Sequence, residues 1–148
     1  MLRVRLICVG KLKESFYIDA CREYQKRLQR YCDLEITELP ETGSLERDGA
    51  AVLEKIPSGA LLAALCVEGK LYSSQELAEL VNREMNSGTS RVCFVIGGSD
   101  GLWDAVKQRA QVKISLSRMT FPHHLARVIV LEQLYRAFNI LGGGKYHK

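Results

Sequence analysis

The residue types best suited to holding and activating a small molecule fall in the last third of the chain. Val95-Ile96-Gly97-Gly98-Ser99-Asp100-Gly101 puts two glycines directly after an apolar run. Residues without side chains let a ligand approach the backbone closely. The run is neither GxGxxG nor a phosphate-binding loop, because no Gly-Lys-[Ser/Thr] follows it. Ser99 and Asp100 can equally cap a short helix after the loop. Leu116-Ser117-Arg118-Met119-Thr120-Phe121-Pro122-His123-His124 mixes hydroxyls at Ser117 and Thr120 with apolar surface at Met119 and Phe121. A pocket for a purine joined to a thioether needs that mixture, whereas an ordinary strand-to-helix connection does not. The tail, Gly142-Gly143-Gly144-Lys145-Tyr146-His147-Lys148, joins a hinge to an aromatic ring, a histidine and two lysines. It suits a flap that closes over RNA, or a frayed terminus.

These segments need a frame. Arg3–Val9 alternates and then turns apolar, as a strand does. Ser15 can cap a helix reaching about Gln29, and Leu34–Leu39 is a second strand ended by Pro40. Ser44 can cap a helix reaching about Ile56, broken by Pro57-Ser58-Gly59. Ala60–Val67 is apolar throughout, the pattern of a buried parallel strand. Ser73 followed by Glu76 is a capping-box signature for a helix to about Asn86. Arg91–Ile96 is another buried strand. A short helix around Trp103–Gln108 and a strand at Val112–Ser115 follow. Pro122 suits the first turn of a long helix reaching about Ile140. Strands that alternate with helices predict an α/β fold, a mostly parallel sheet flanked by helices. Ligands of such sheets bind at the carboxyl ends of strands, here after Val67, Ile96 and Ser115.

Composition narrows the class. A chain of 148 residues, 47% of them hydrophobic, suits one domain, 1–148, with a sizeable core. No apolar stretch reaches a membrane-spanning length, and the apolar start is too short for a signal peptide, so the expected location is cytoplasmic. The five cysteines form no CxxC. They read as buried free thiols in a reducing compartment, and no metal site is expected. Residues 1–30 carry eight Lys/Arg against three Asp/Glu, 31–104 five against thirteen, and 105–148 eight against one. Basic ends of this kind suit a phosphate backbone, or form solvated helix faces. From Leu125 to Leu131 the long helix is apolar around nearly its whole circumference, which calls for burial on every side, favouring cover by a second subunit. Within it, Glu132 and Arg136 at i, i+4 either pair, or Arg136 and Arg127 face a ligand or phosphate.

The order of these segments is itself distinctive. A strand leads into Gly97-Gly98-Ser99-Asp100-Gly101-Leu102. Ser115 to His123, the Arg127–Phe138 helix and a terminal Tyr146-His147-Lys148 follow, and Val9-Gly10-Lys11-Leu12-Lys13 stands near the start. In this order the chain resembles the SPOUT-class methyltransferases, and within them the ribosomal large-subunit methyltransferase H family, over essentially its whole length. The resemblance is weakest at about 40–60.

The resemblance implies a deep trefoil knot at the carboxyl end of the sheet, a homodimer, and S-adenosylmethionine (SAM) as methyl donor without a metal. It implies methylation of N3 of a pseudouridine in 23S rRNA on the assembled ribosome. The SAM pocket would take Leu65, Ile96, Gly97, Gly98, Leu116, Ser117, Arg118, Met119, Thr120 and Phe121. Arg136, Tyr146, His147 and Lys148 would hold RNA, and one subunit's tail would reach its partner's site. N3 carries a proton that must leave, and His123 and His147 are the candidates to take it. A silent ribosome-assembly factor on the same fold and a SPOUT enzyme acting on tRNA are the alternatives. The glycine and knot loops speak against the first. The lack of an appended RNA-binding domain speaks against the second.

Overall fold

The computed structural model describes residues 1–147. In chain order its elements are β1 (Arg3–Val9), α1 (Ser15–Leu28), β2 (Asp33–Leu39), α2 (Leu45–Lys55), β3 (Leu61–Leu71), α3 (Ser74–Met85), β4 (Arg91–Ile96), α4 (Asp104–Arg109), β5 (Val112–Ser115) and α5 (His123–Leu141). The five strands form one sheet in the order β2-β1-β4-β3-β5, and every neighbouring pair is parallel. The expected α/β architecture is therefore present.

Both faces of the sheet are covered, which explains why β1 and β4 read as continuous apolar runs. On one face α1, α3 and α5 pack over Val4, Leu6, Phe94 and Ile96, with Leu131, Leu134 and Phe138 of α5 fully or nearly buried. On the other face α2 and α4 cover Ile7, Val9, Leu62 and Val95. Gly49 of α2 lets Trp103 come so close that an added Cβ would lie 2.5 Å from the Trp103 Cβ. α2 and α3 start as their sequences specify: Ser44 accepts from the Arg47 N–H, and Ser73 with Glu76 forms a full capping box.

Several boundaries and roles differ from the sequence expectation. Glu14, not Ser15, is the N-cap residue of α1, and it makes no side-chain cap. Neither Ser99 nor Asp100 caps α4, whose N-cap is Trp103. β3 continues to Leu71 beyond the expected Val67, with a register break between Leu65 and Lys70 against β5. The apolar run ends where it does because the extension leaves the sheet's cover: Val67 is 77% exposed.

The first half of α5 is not apolar all round in space. Arg127 is only 2% exposed, and it pairs with Glu38 of β2 and donates to the Gly10 carbonyl at 3.1 Å. It therefore faces neither a ligand nor a phosphate. Its neighbours Leu125, Val128 and Ile129 are half-buried. Four cysteines are buried, while Cys66 is only partly so. Burial pushes the thiols of Cys8, Cys32 and Cys93 up to about 12.

Candidate functional site

The loops after β3, β4 and β5 meet in one cleft of about 270 Å³, lined among others by Leu65, Ile96, Gly97, Gly98, Leu116, Met119, Thr120 and Phe121. Those residues come from three segments separated in sequence. The parallel sheet brings them together because β3, the strand contributing Leu65, lies between β4 and β5.

Gly97 is fixed by close approach. A Cβ there would lie 2.4 Å from the Gly101 carbonyl oxygen. Gly98 and Gly101 form an antiparallel bridge, and Gly101 has φ +84°, a conformation that favours glycine. The glycine run is thus a tight reversal whose backbone forms one wall of the cleft. The opposite loop is braced internally: the Ser117 hydroxyl accepts from the Met119 N–H at 3.0 Å, and Ser115 donates to the Ser117 carbonyl at 3.0 Å. Ser117 therefore shapes the loop, and neither it nor Arg118 lines the cleft.

The cleft has the mixed chemistry that SAM requires. Leu65, Ile96, Leu116 and Phe121 offer apolar walls for a base, and Met119 stands exposed at the mouth. Thr120, Asp100 and Glu68 offer oxygen acceptors for a ribose and an ammonium group. Glu68 is held by Lys107 at 2.6 Å, and hydrogen bonding from that lysine keeps its carboxyl below the ordinary range. Among the described residues no group of three or more His, Cys, Asp or Glu side chains is placed to hold a metal.

His123 stands at the first turn of α5 and lines this cleft. Burial, with help from neighbouring His124, lowers its pKa below 6.5, and Glu41 opposes that shift. A neutral imidazole at neutral pH is available to accept a proton.

Glu41 was not singled out from the sequence. Its Oε2 accepts from both the Ser99 N–H at 2.9 Å and the Ser99 hydroxyl at 2.6 Å, and its Oε1 lies 3.9 Å from His123 Nε2. Those bonds from Ser99 hold its carboxyl below the ordinary range. Glu41 thereby ties the glycine loop to the start of α5. The available signal was a carboxylate just past the carboxyl end of a parallel strand, where ligands of such sheets bind.

The remaining candidates lie elsewhere. Arg136 is 13 residues beyond His123 along α5, about 20 Å at 1.5 Å per residue. There Arg136 and Tyr146 both donate to Glu132 Oε2, at 2.7 and 2.8 Å. The Arg136 guanidinium sits 4.8 Å over the Tyr146 ring. His147 is within 3.3 Å of Arg136 and 3.0 Å of Gln75. The tail through His147 is thus folded onto α3 and α5 of its own chain. Lys148 lies outside the described residues.

Comparison with known proteins agrees with this geometry. The family model described as "Predicted SPOUT methyltransferase" matches residues 2–147. A Bacillus pumilus protein named ribosomal RNA large subunit methyltransferase H is 45% identical, across 99% of this chain and 100% of its own length. Proteins of the same name from Clostridium acetobutylicum and Caldicellulosiruptor saccharolyticus are 45% and 41% identical, across 99% and 98% of this chain and 100% and 99% of their own lengths. Among solved structures, a probable methyltransferase from Bordetella pertussis shares the fold with TM-score 0.61 at 15% identity, over 93% of this chain and 96% of its own. A probable methylase family protein from Haemophilus influenzae does so with TM-score 0.59 at 14% identity, over 100% and 72%. The chain belongs to the SPOUT methyltransferase family.

Proposed function

We propose that this protein uses SAM to methylate N3 of a pseudouridine in 23S rRNA, acting on the assembled ribosome from the cytoplasm. The observation that carries the reading is the single cleft in which eight of the expected cofactor residues converge beside His123. Near-full-length identity to relatives named for large-subunit ribosomal RNA methylation supports the substrate class. Among the described residues no helix is long and apolar enough to cross a membrane.

Bound SAM supplies a methyl group already activated by its sulfonium. The chain's own work is alignment and proton handling. Leu65, Ile96, Leu116 and Phe121 clamp the base, and the Gly97 backbone lets the donor lie close. Alignment of this kind accounts for much of the rate in such transfers. His123, neutral at pH 7, takes the N3 proton. We read residues 1–148 as one domain whose last third threads a trefoil knot. The meeting of the loops after β3, β4 and β5 in one cleft supports that reading.

The working unit is proposed to be a homodimer. Leu125, Val128 and Ile129 leave an apolar strip on α5 half-open, which a second copy would close. Within one chain the tail sits about 20 Å along α5 from the cleft, so Arg136, Tyr146, His147 and Lys148 would serve the partner's site, holding RNA there. The decisive assay is methyl transfer to ribosomes lacking the modification, to free 23S rRNA and to tRNA, with mass mapping of the product. Transfer to ribosomes alone is expected. Transfer to tRNA alone, or no SAM binding at millimolar concentration by calorimetry, overturns the reading. A stable monomer in light scattering removes the shared site.

A further inference from the structure

A second hollow, of about 780 Å³, lies at the carboxyl ends of β1 and β2 and shares His123 with the cleft. On α1 beside it, Phe16 is 64% exposed, the one aromatic among the exposed large apolar side chains of the described residues. An exposed phenylalanine alone means little, but this one begins a file of rings. Phe16 lies 4.5 Å from Tyr17, Tyr17 lies edge-on to His124 at 6.1 Å, and His124 is 4.2 Å from His123. Four rings therefore run from the surface of α1 to the wall of the cleft.

The charges around the file are sorted. Glu14 faces His124 at 3.5 Å, Glu38 pairs with Arg127, and Glu41 holds Ser99. Those carboxylates are engaged, while Lys11 and Lys13 stand exposed at the rim of the hollow. The immediate neighbours of Phe16 along the chain, Lys13, Glu14, Ser15 and Asp19, are also exposed. A protein-docking surface is expected to surround its aromatic anchor with apolar contacts. A ring between lysines on a polar surface instead fits an unpaired nucleic acid strand, whose bases have apolar faces and whose phosphates are anionic.

We propose that Phe16, Tyr17, Lys11 and Lys13 form a docking track for the unpaired RNA segment beside the target base. Phe16 and Tyr17 stack on bases, the lysines hold phosphates, and the file leads the strand to His123. The proposal rests on the reading of this protein as an RNA methyltransferase. Two measurements separate the two ideas. One is anisotropy with a fluorescein-labelled single-stranded ten-nucleotide RNA, and the other is methyl transfer to unmodified ribosomes. Phe16→Ala should weaken oligonucleotide binding about tenfold, as loss of one stacked base does, and lower kcat/KM for ribosomes similarly. Phe16→Trp should restore both, and SAM affinity should not change. Lys11→Ala with Lys13→Ala should make the salt slope of binding shallower by nearly two. Equal RNA affinity of wild type and Phe16→Ala overturns the track, whatever the ribosome assay gives. A Phe16→Ala protein that turns monomeric also overturns it, since the ring then belongs to a contact between copies. Wild-type binding to the RNA without transfer to ribosomes overturns the substrate reading alone.

Discussion

The carboxyl edge of the sheet carries two hollows that meet at His123, built from different materials. The cleft after β3, β4 and β5 is made of glycine backbone and apolar side chains. The hollow after β1 and β2 is made of ion pairs and rings. The first excludes side chains to gain shape, and the second gathers them to gain charge. A ligand whose base needs apolar walls belongs in one, and an anionic strand belongs beside the other.

Removing the shape of the first should have the largest effect. In Gly97→Ala the new methyl would meet the Gly101 carbonyl oxygen at 2.4 Å. Backbone cannot give way as a flexible side chain can, so the reversal must open. We expect SAM affinity to fall at least a hundredfold by calorimetry, with the melting temperature lowered by only a few degrees. An unchanged affinity would mean that the glycine backbone is not a wall of the donor site.

The two hollows also differ in how far the sequence disclosed them. The cleft was legible because glycines after an apolar run, and hydroxyls mixed with apolar residues before a proline, are local patterns. Arg127–Glu38 was not legible. Its partners are 89 positions apart, and Arg127 sits inside an apolar stretch that reads as a purely greasy helix. Glu41 escaped for the same reason, since Ser99 is 58 positions away. Nothing in the spacing of Phe16, Tyr17 and His124 shows that their rings come together, and the break in β3 has no local marker at all.

Arg127→Met tests whether the charged pairs of the second hollow also hold the fold. It leaves Glu38 with the Leu12 N–H as its remaining partner. Losing one member of a buried pair costs about 3 kcal/mol, to be read by urea unfolding. Burial opposes the Glu38 charge, but bonds from Arg127 and the Leu12 N–H outweigh it and lower its pKa below 4.5. A lowered folded-state pKa means that the pair's contribution is present above the unfolded-state value. It disappears as pH falls through the folded-state value. Wild type and variant should therefore converge in stability in acid. A constant gap at every pH would assign the loss to packing.

Glu41 joins the two hollows, and its variants separate their contributions. Glu41→Ala removes both bonds to Ser99 and should weaken SAM binding about tenfold, given about 1.5 kcal/mol for hydrogen bonds to a charged acceptor. Glu41→Gln keeps an acceptor oxygen and should bind SAM within threefold of wild type. Both variants remove a negative charge that raises the His123 pKa. If His123 takes the proton, activity falls in acid as that ring becomes protonated, and the falling limb should move to lower pH in both variants. A limb that stays in place would dismiss His123 as the base.

The smallest effect tests the tail, which belongs to neither hollow of its own chain. Ser73 caps α3 two residues before Gln75, whose amide meets His147. Ser73→Ala should cost about 1 kcal/mol of stability and loosen the first turn that carries Gln75. If docking on α3 merely parks the tail, freeing it should leave methyl transfer unchanged or raise it slightly, because more tails are free to reach a partner. If the docked position is the working one, transfer should fall about twofold while SAM affinity stays constant. Ser74 complicates the reading, since its hydroxyl donates to Gln133 of α5 at 2.6 Å and frays with the same turn. Gln75→Ala removes only the contact to His147 and leaves the cap intact. The two variants should agree in direction, and opposite signs would place the effect in α3 packing instead of the tail.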